Sequence, residues 1–418
     1  MSRRRIAVIG SGVSGLTAAY LLARGNDVTL YEADRRLGGH AHTHRVQRGD
    51  GQRLALDTGF LVHNERTYPL LTRLFTELGV ATQDSEMSMS VRCAGCGLQY
   101  AGQRGLAGLL AGFSKGGPRY ARLLTQILRF HRAARAVISG EGAEPTLGDV
   151  LTQGRFSDYF VTHFAMPFVA AVWSCAPGTA MDYPARYLFT FLDQHGLLSV
   201  TGSPQWRTVT GGSATYVERV ARRLASVRTG TPAAIVHRFP GGAEVKDNGG
   251  NVACFDAVVI ATHPDQALSL LAERTSAEEA VLGAFRYSAS SVLLHTDPGP
   301  LPRGRRVRAS WNYLLRTCGA TETAVQISYY LNRLQRLDAD EDYLVTLNGD
   351  DLIRPGAVLA RMRYEHPIYD PASVAAQRRL PELNDGVTAY AGAYHGWGFH
   401  EDGCRSGAAA AASLGARW

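Results

Sequence analysis

The most constraining feature of this chain is packed into its first 34 residues, where a strand, a glycine turn, a helix and a second strand follow without interruption. Arg5-Ile6-Ala7-Val8-Ile9 reads as a short apolar strand, and Gly10-Ser11-Gly12-Val13-Ser14-Gly15 is a G-x-G-x-x-G turn. A helix is expected over 16–24, stopped by Gly25-Asn26, and a strand over 27–32 ends in Glu32, 22 residues after the first glycine. This is a complete β-α-β dinucleotide-binding unit. Gly10 permits the tight turn, Gly12 lets backbone approach a pyrophosphate, and Gly15 allows close helix–sheet packing. Val13 and Ser14 open the helix, whose N-terminus offers N–H donors and partial positive charge. Glu32 stands where a carboxylate holds a ribose diol.

Two later pieces share this α/β texture. Gly211-Gly212-Ser213 opens a helix expected over 214–225, short strands follow through Val236 and Val245, and 256–262 reads as a buried parallel strand. A strand over 388–393 and an alanine-rich helix over 403–414 close the chain. Between these pieces, 66–200 is mostly helical and aromatic, with helices expected over 120–138 and 159–173. Residues 285–380 carry strand signals at 291–295 and 324–330. The simplest organisation is one α/β domain interrupted twice: 1–70, 203–275 and 385–418 form the dinucleotide domain, and 71–202 and 276–384 form an inserted mixed α+β substrate domain.

Composition narrows the class. With 418 residues, 45% hydrophobic and 19% charged, the chain can bury two or three cores and is not disordered. The net charge is +7, yet Lys115 and Lys246 are its only lysines. No basic block exceeds three residues and none is interleaved with aromatics, so nucleic acid is not an expected partner. Met1-Ser2-Arg3-Arg4-Arg5 resembles the head of a leader, but a glycine turn interrupts the apolar run and no cleavage site follows. A cytoplasmic enzyme without a membrane-spanning segment is expected.

The residues after the second strand select the dinucleotide. Glu32-Ala33-Asp34-Arg35-Arg36-Leu37-Gly38-Gly39 resembles the E-A-x-x-R-x-G-G pattern of FAD-binding amine oxidases, phytoene desaturases and protoporphyrinogen oxidases. Arg36 offers charge to a pyrophosphate. His40 stands where amine oxidases usually carry arginine. The stretches 57–69, 87–91, 195–198, 204–207, 310–313 and 392–403 extend the likeness along the chain, which resembles a bacterial group of amine-oxidase-like FAD oxidoreductases. The resemblance implies an interrupted Rossmann-type FAD-binding domain of amine-oxidase type and tightly held, non-covalent FAD. It assigns Gly10, Gly12, Val13, Ser14, Gly15, Glu32, Ala33 and Arg36 to the dinucleotide half. Gly39, His40, Thr58, Gly59 and Phe60 would run towards the flavin, Ala233 and Ala261 would lie by the adenine end, and Asp402 and Gly403 would lie against the flavin ring and ribityl chain.

Two departures bear on the reaction. No lysine stands on the strand where amine oxidases place one near flavin N5, and His400 replaces one wall of their aromatic cage. The resemblance then implies oxidation or desaturation of a small lipophilic substrate, an unsaturated or methyl-branched fatty acyl chain, with O2 or another acceptor reoxidising the flavin. Amine oxidation, redox-neutral isomerisation and a non-catalytic flavin-binding subunit are the alternatives. His400, with Glu401 beside it, is the candidate general base. His63, His195 and His395 also fall in the matching stretches, and Trp173, Tyr394 and Trp397 are candidate pocket aromatics.

Two further features lie outside the flavin motifs. Cys93-Ala94-Gly95-Cys96 is a C-x-x-C, but Cys175, Cys254, Cys318 and Cys404 stand alone in sequence, so no metal site is expected. Residues 106–138 join an apolar stretch to a helix bearing Arg119, Arg122, Arg129, Arg132 and Arg135. That pattern suits peripheral contact with a membrane surface and equally describes a solvated helix over an ordinary core.

Overall fold

The computed structural model describes residues 3–49, 51–102, 105–142, 144–199, 202–319 and 324–418; Met1 and Ser2 of the leader-like head lie outside them. Five strands form a wholly parallel sheet in the order Ser226–Arg228, Asp27–Tyr31, Arg5–Ile9, Ala257–Ile260 and Thr388–Tyr390. All three α/β pieces of the sequence thus contribute to one sheet. Ile6 to Ile9 and Ala257 to Ile260 are buried throughout, as strands covered on both faces must be. The strand order reverses between Arg5–Ile9 and Ala257–Ile260, and a crevice opens at such a switch point.

The helix Val13–Leu22 is buried along all ten residues, because the sheet covers one side and the C-terminal helix His400–Ser413 covers the other. Small residues make that second contact. A Cβ on Gly403 would lie 2.6 Å from Val13 Cγ1, and one on Gly407 would collide with the carbonyl oxygen of Ser14. The C-terminal helix begins three residues earlier than expected, since the Asp402 carboxylate accepts the Phe399 N–H at 3.0 Å and caps the first turn. The helix expected over 214–225 ends at Ala221, and the strand expected over 324–330 spans only Ile327–Tyr330.

A second, seven-stranded sheet runs in the order Val358–Ile368, Arg286–His295, Leu344–Leu347, Ile327–Tyr330, Trp311–Leu315, Met89–Cys93 and Gln99–Gly102. Its pairs are antiparallel except Trp311–Leu315 with Met89–Cys93. The helices Phe113–Ser139, Met166–Trp173 and Ala185–Gln194 share an aromatic core with it. The expected helix over 159–173 contains one turn of π-helix, Val161–Ala165.

The boundary expected at 70/71 is corrected by the helix Pro69–Leu78, which runs through it. Leu71, Leu74, Phe75 and Leu78 pack in the core of the parallel sheet beside Ile6 and Val8. The next strand, Thr82–Ser85, pairs with Trp206–Val209, so the two units interlock there. Among the described residues no helix is long and apolar enough to cross a membrane.

The Gly407 contact is with backbone, which has little room to yield. Gly407→Val is expected to cost about 3 kcal/mol, roughly 3 °C in melting temperature for a chain of this length, in a thermal melt followed by circular dichroism. An unchanged melt would mean that the two helices do not pack this closely.

Candidate flavin and substrate site

The crevice at the switch point opens into a cavity of about 1270 Å³ that continues between the two sheets. Backbone geometry shapes its dinucleotide end. Gly10 has φ +100°, and a Cβ there would lie 2.6 Å from the carbonyl oxygen of Ala261; one on Gly15 would strike the Gly10 carbonyl. Gly12 is the opposite case, since a Cβ there would meet nothing within 4 Å, while Gly39, φ +55°, faces it with its own Cβ position 3.2 Å from Gly12 Cα. Two glycine turns therefore bound an open slot at the N-terminus of Val13–Leu22, which no side chain caps. That slot fits a pyrophosphate. The Glu32 carboxylate accepts the Ser11 N–H at 2.9 Å, the Ser11 hydroxyl at 2.5 Å and the Asp34 N–H at 2.8 Å. Of its roughly four lone-pair sites one remains for a ribose hydroxyl. Val13, Ser14, Ala33, Ala233 and Ala261 line the same end.

Further in, the loop 38–42 and the turn 58–60 are held together by backbone. The Phe60 N–H donates to the His40 carbonyl at 2.8 Å, and a Cβ on Gly59 would collide with that same carbonyl. Thr58 Oγ1 lies 2.8 Å from the Tyr364 hydroxyl, which lies 2.9 Å from His42 Nδ1. The His40 ring packs on Tyr364 and His366 with centroids 4.9 and 5.3 Å away. Burial lowers the basicity of both imidazoles, His366 to about 4, so both are neutral near pH 7. Across the cavity His263 stacks on Tyr287 at 4.0 Å, and its Nδ1 is 3.5 Å from Glu365. His400 stacks on Phe60 with centroids 3.8 Å apart and planes 15° from parallel. Burial, with His63 adding to it, takes His400 down to about 3. The Nε2 atoms of His40 and His400 and Nδ1 of His366 are buried without a protein partner, as groups awaiting a polar ligand are.

Five sequence candidates do not reach the cavity wall: Gly15, Arg36, Glu401, Asp402 and Gly403. Arg36 Nε instead pairs with Asp34 at 3.2 Å. The Glu401 oxygens accept the Leu70 and Leu71 N–H groups at 3.1 and 3.0 Å, capping the helix Pro69–Leu78. The expectation that Glu401 assists His400 as a base is therefore corrected. About 100° of helix separates successive residues, so His400 faces the cavity and Glu401 the helix behind it. Asp402 accepts from Arg405 at 2.5 Å, and Gly403 packs the C-terminal helix against Val13 and Ser14. Cys404 is buried 3.5 Å from the Thr17 hydroxyl between those helices, away from any covalent link to a cofactor. Of the remaining motif residues His195 and Tyr394 line the cavity, whereas His63, His395, Trp173 and Trp397 do not.

The rest of the cavity is an apolar chamber walled by Val91, Leu109, Leu124, Ile127, Phe164 and Phe168. Among the described residues no arginine or lysine lines it. Sequence reasoning missed Tyr364, His366, His263, Tyr287 and Glu365. Only His263 carried a signal, since Thr262-His263-Pro264 follows a parallel strand at its C-terminal end.

The model of the flavin containing amine oxidoreductases matches residues 13–330. The chain belongs to the flavin-containing amine oxidoreductase family. It is accordingly an FAD-dependent oxidoreductase, and the glycine slot, Glu32 and the unpartnered imidazoles fit that cofactor. The chain is 28% identical over 414 residues to coproporphyrinogen III oxidase of Mycobacterium leprae (strain TN), covering 92% of this chain and 88% of that one. Among solved structures, cyclohexylamine oxidase from Brevibacterium oxydans IH-35A superposes with a TM-score of 0.68 at 16% identity over 99% of each chain. A CLA-producing fatty acid isomerase from P. acnes does so at 0.65 and 15% over 97% of each. These last two likenesses concern the fold alone.

Because Gly12 has an ordinary φ of −62° and faces open space, Gly12→Ala should leave the apoprotein within about 0.5 kcal/mol of the parent. Fluorescence titration should show FAD bound about tenfold or more weaker; undiminished binding would remove the slot from the pyrophosphate site. Glu401 is pushed up to about 7 by burial, from an ordinary 4.5, despite its two N–H bonds. The folded chain thus holds a proton there that the unfolded chain releases between those values, and this contribution to stability declines as pH rises through the window. Glu401→Gln, a neutral mimic of the protonated carboxyl, removes that slope, so in apoprotein melts the variant's stability relative to the parent should rise from pH 5 to pH 8. The same difference at both pH values would mean that Glu401 has no raised folded-state pKa in this window.

Proposed function

We propose that this flavoenzyme oxidises or desaturates a lipophilic substrate, an unsaturated or methyl-branched fatty acyl chain, bound in the apolar chamber. The observation that carries this reading is the chamber wall itself, aliphatic and aromatic without a cation among the described residues. A multiply carboxylated substrate such as a coproporphyrinogen would leave its charges unpaired there, which is costly. That separates this chain from its Mycobacterium leprae relative in spite of the long alignment. Amine oxidation is disfavoured because neither Lys115 nor Lys246 lines the cavity.

FAD held at the glycine slot and Glu32 would supply a hydride acceptor at flavin N5, reoxidised by O2 or another acceptor. The chain's own residues bind, orient and dry the substrate. His400 presents a neutral imidazole with a free Nε2 at the cavity wall, able to take a hydrogen bond or pass on a proton but not to keep one near pH 7. Leu106 lines the cavity and is also 71% exposed, which marks a mouth on the segment 106–138. Leu110, Phe113 and Leu128 of the same segment are also exposed, in keeping with peripheral contact at a lipid surface.

Anaerobic addition of unsaturated and branched acyl lipids is expected to bleach the oxidised flavin, whereas amines and porphyrinogens leave it unchanged. Leu124→Asp should keep FAD content and raise KM for the lipid about tenfold or more. Bleaching by an amine or a porphyrinogen alone would overturn the reading. Isomerised lipid formed without consumption of an acceptor would replace it with redox-neutral hydride return.

A further inference from the structure

We propose that Cys93, Cys96, Cys318 and His163 bind one structural Zn²⁺ ion outside the flavin cavity. The sequence leaves Cys318 apparently alone, 225 residues from Cys93, but in the fold their sulfurs are 3.6 Å apart. Cys96 Sγ lies 3.5 Å from His163 Nε2, and the four ligand atoms all fall within 4.8 Å of one another. A tetrahedral zinc with bonds of about 2.3 Å to sulfur and 2.0–2.1 Å to nitrogen has ligand edges of about 3.8 and 3.6 Å. A disulfide would need about 2.05 Å. Three cysteines and one histidine are a closed donor set of the kind that holds zinc for structure rather than catalysis.

The surroundings support each ligand. His163 Nδ1 lies 3.0 Å from the Tyr159 carbonyl, and a carbonyl only accepts. Nδ1 therefore carries the hydrogen and Nε2 turns its lone pair to the cysteines, as metal-bound histidines are usually oriented. His163 sits in a π-helical turn, Val161–Ala165, and such turns gather at functional sites. Cys93 to Gly97 form a knuckle, with the Gly97 N–H donating to the Cys93 carbonyl at 3.0 Å and φ +76° at Gly97. Gly95 has no side chain where Cys318 approaches, because a Cβ there would lie 3.1 Å from Cys318 N and 3.2 Å from its sulfur. Parallel pairing of Cys93 with Leu315 brings the two cysteine-bearing loops to one end of the sheet.

Metal analysis of the full-length protein, purified with thiol reductant and zinc, is expected to give one zinc per chain. Cys96→Ser combined with Cys318→Ser, both at exposed positions, should reduce this to about a tenth or less. His163→Cys keeps four donors and should retain it, as should Cys254→Ser, an exposed cysteine outside the cluster. Titrating the metal-stripped parent chain with Co²⁺ should give thiolate-to-cobalt charge-transfer bands, a readout that does not depend on any variant folding. A parent chain that holds no zinc and gives no such bands, or whose Cys93 and Cys318 are recovered as a disulfide in the presence of zinc, would overturn the assignment.

Discussion

The cofactor half of this protein depends on backbone meeting backbone at the end of one parallel sheet. Gly10 turns against the carbonyl of Ala261, Gly15 against the carbonyl of Gly10, and Gly59 against that of His40. No side chain fits at these positions, so the loops that surround the dinucleotide slot are set by steric exclusion before anything binds. Gly407 extends the same rule, because it lets the C-terminal helix settle on the first helix and carry His400 to the cavity. Asp57 ties the arrangement across the chain. Buried and pushed up to about 6, it accepts from Thr43, from the Ser213 backbone and hydroxyl, and from Gln335. The Thr58-Gly59-Phe60 turn follows directly from that anchor.

Among the described residues, charge on the cavity wall is limited to the carboxylates of Glu32, Asp265 and Glu365. Arg36 is drawn onto Asp34, Glu401 and Asp402 are turned to the back of their helix, and burial keeps His40, His366 and His400 uncharged. The phosphate charges of a bound dinucleotide would then be met by the N–H groups and dipole of the helix Val13–Leu22, which no side chain caps. Fixed dipoles of this kind need no reorganisation when charge moves, whereas a mobile guanidinium would. The aliphatic and aromatic part of the wall would avoid unpaired charge beside an apolar substrate.

What could be read from the sequence was what is encoded locally. The β-α-β unit, the strand at 257–260 and the helix beginning at 214 each show their signals within about ten residues. The strand Val358–Ile368 was not legible as part of the site, because Tyr364, Glu365 and His366 reach the cavity through a mostly half-exposed strand with no glycine or motif to mark them. Glu401 misled for a related reason: neighbours in sequence diverge around a helix, so adjacency to His400 implied a partnership that the backbone forbids. Cys318 is the converse, a distant residue brought beside Cys93 by strand pairing that no local pattern announces.

The cysteine–histidine cluster and the chamber meet on one helical segment. Phe156, Phe160, Phe164 and Phe168 form a ladder of successive ring contacts with centroids 5.0, 5.3 and 5.6 Å apart, and its last two rungs line the chamber. Tyr159 and His163, stacked at 4.2 Å, occupy the flank of the same segment that faces the cysteines. His163 lies within the π turn Val161–Ala165, which a helix does not adopt without support from its neighbours. Tyr100 supplies some of that support by donating to the His163 carbonyl at 2.7 Å while itself lining the cavity. Fixing His163 to the end of the seven-stranded sheet therefore fixes where Phe164 and Phe168 stand, so that a site remote from the flavin motifs sets the shape of the chamber wall.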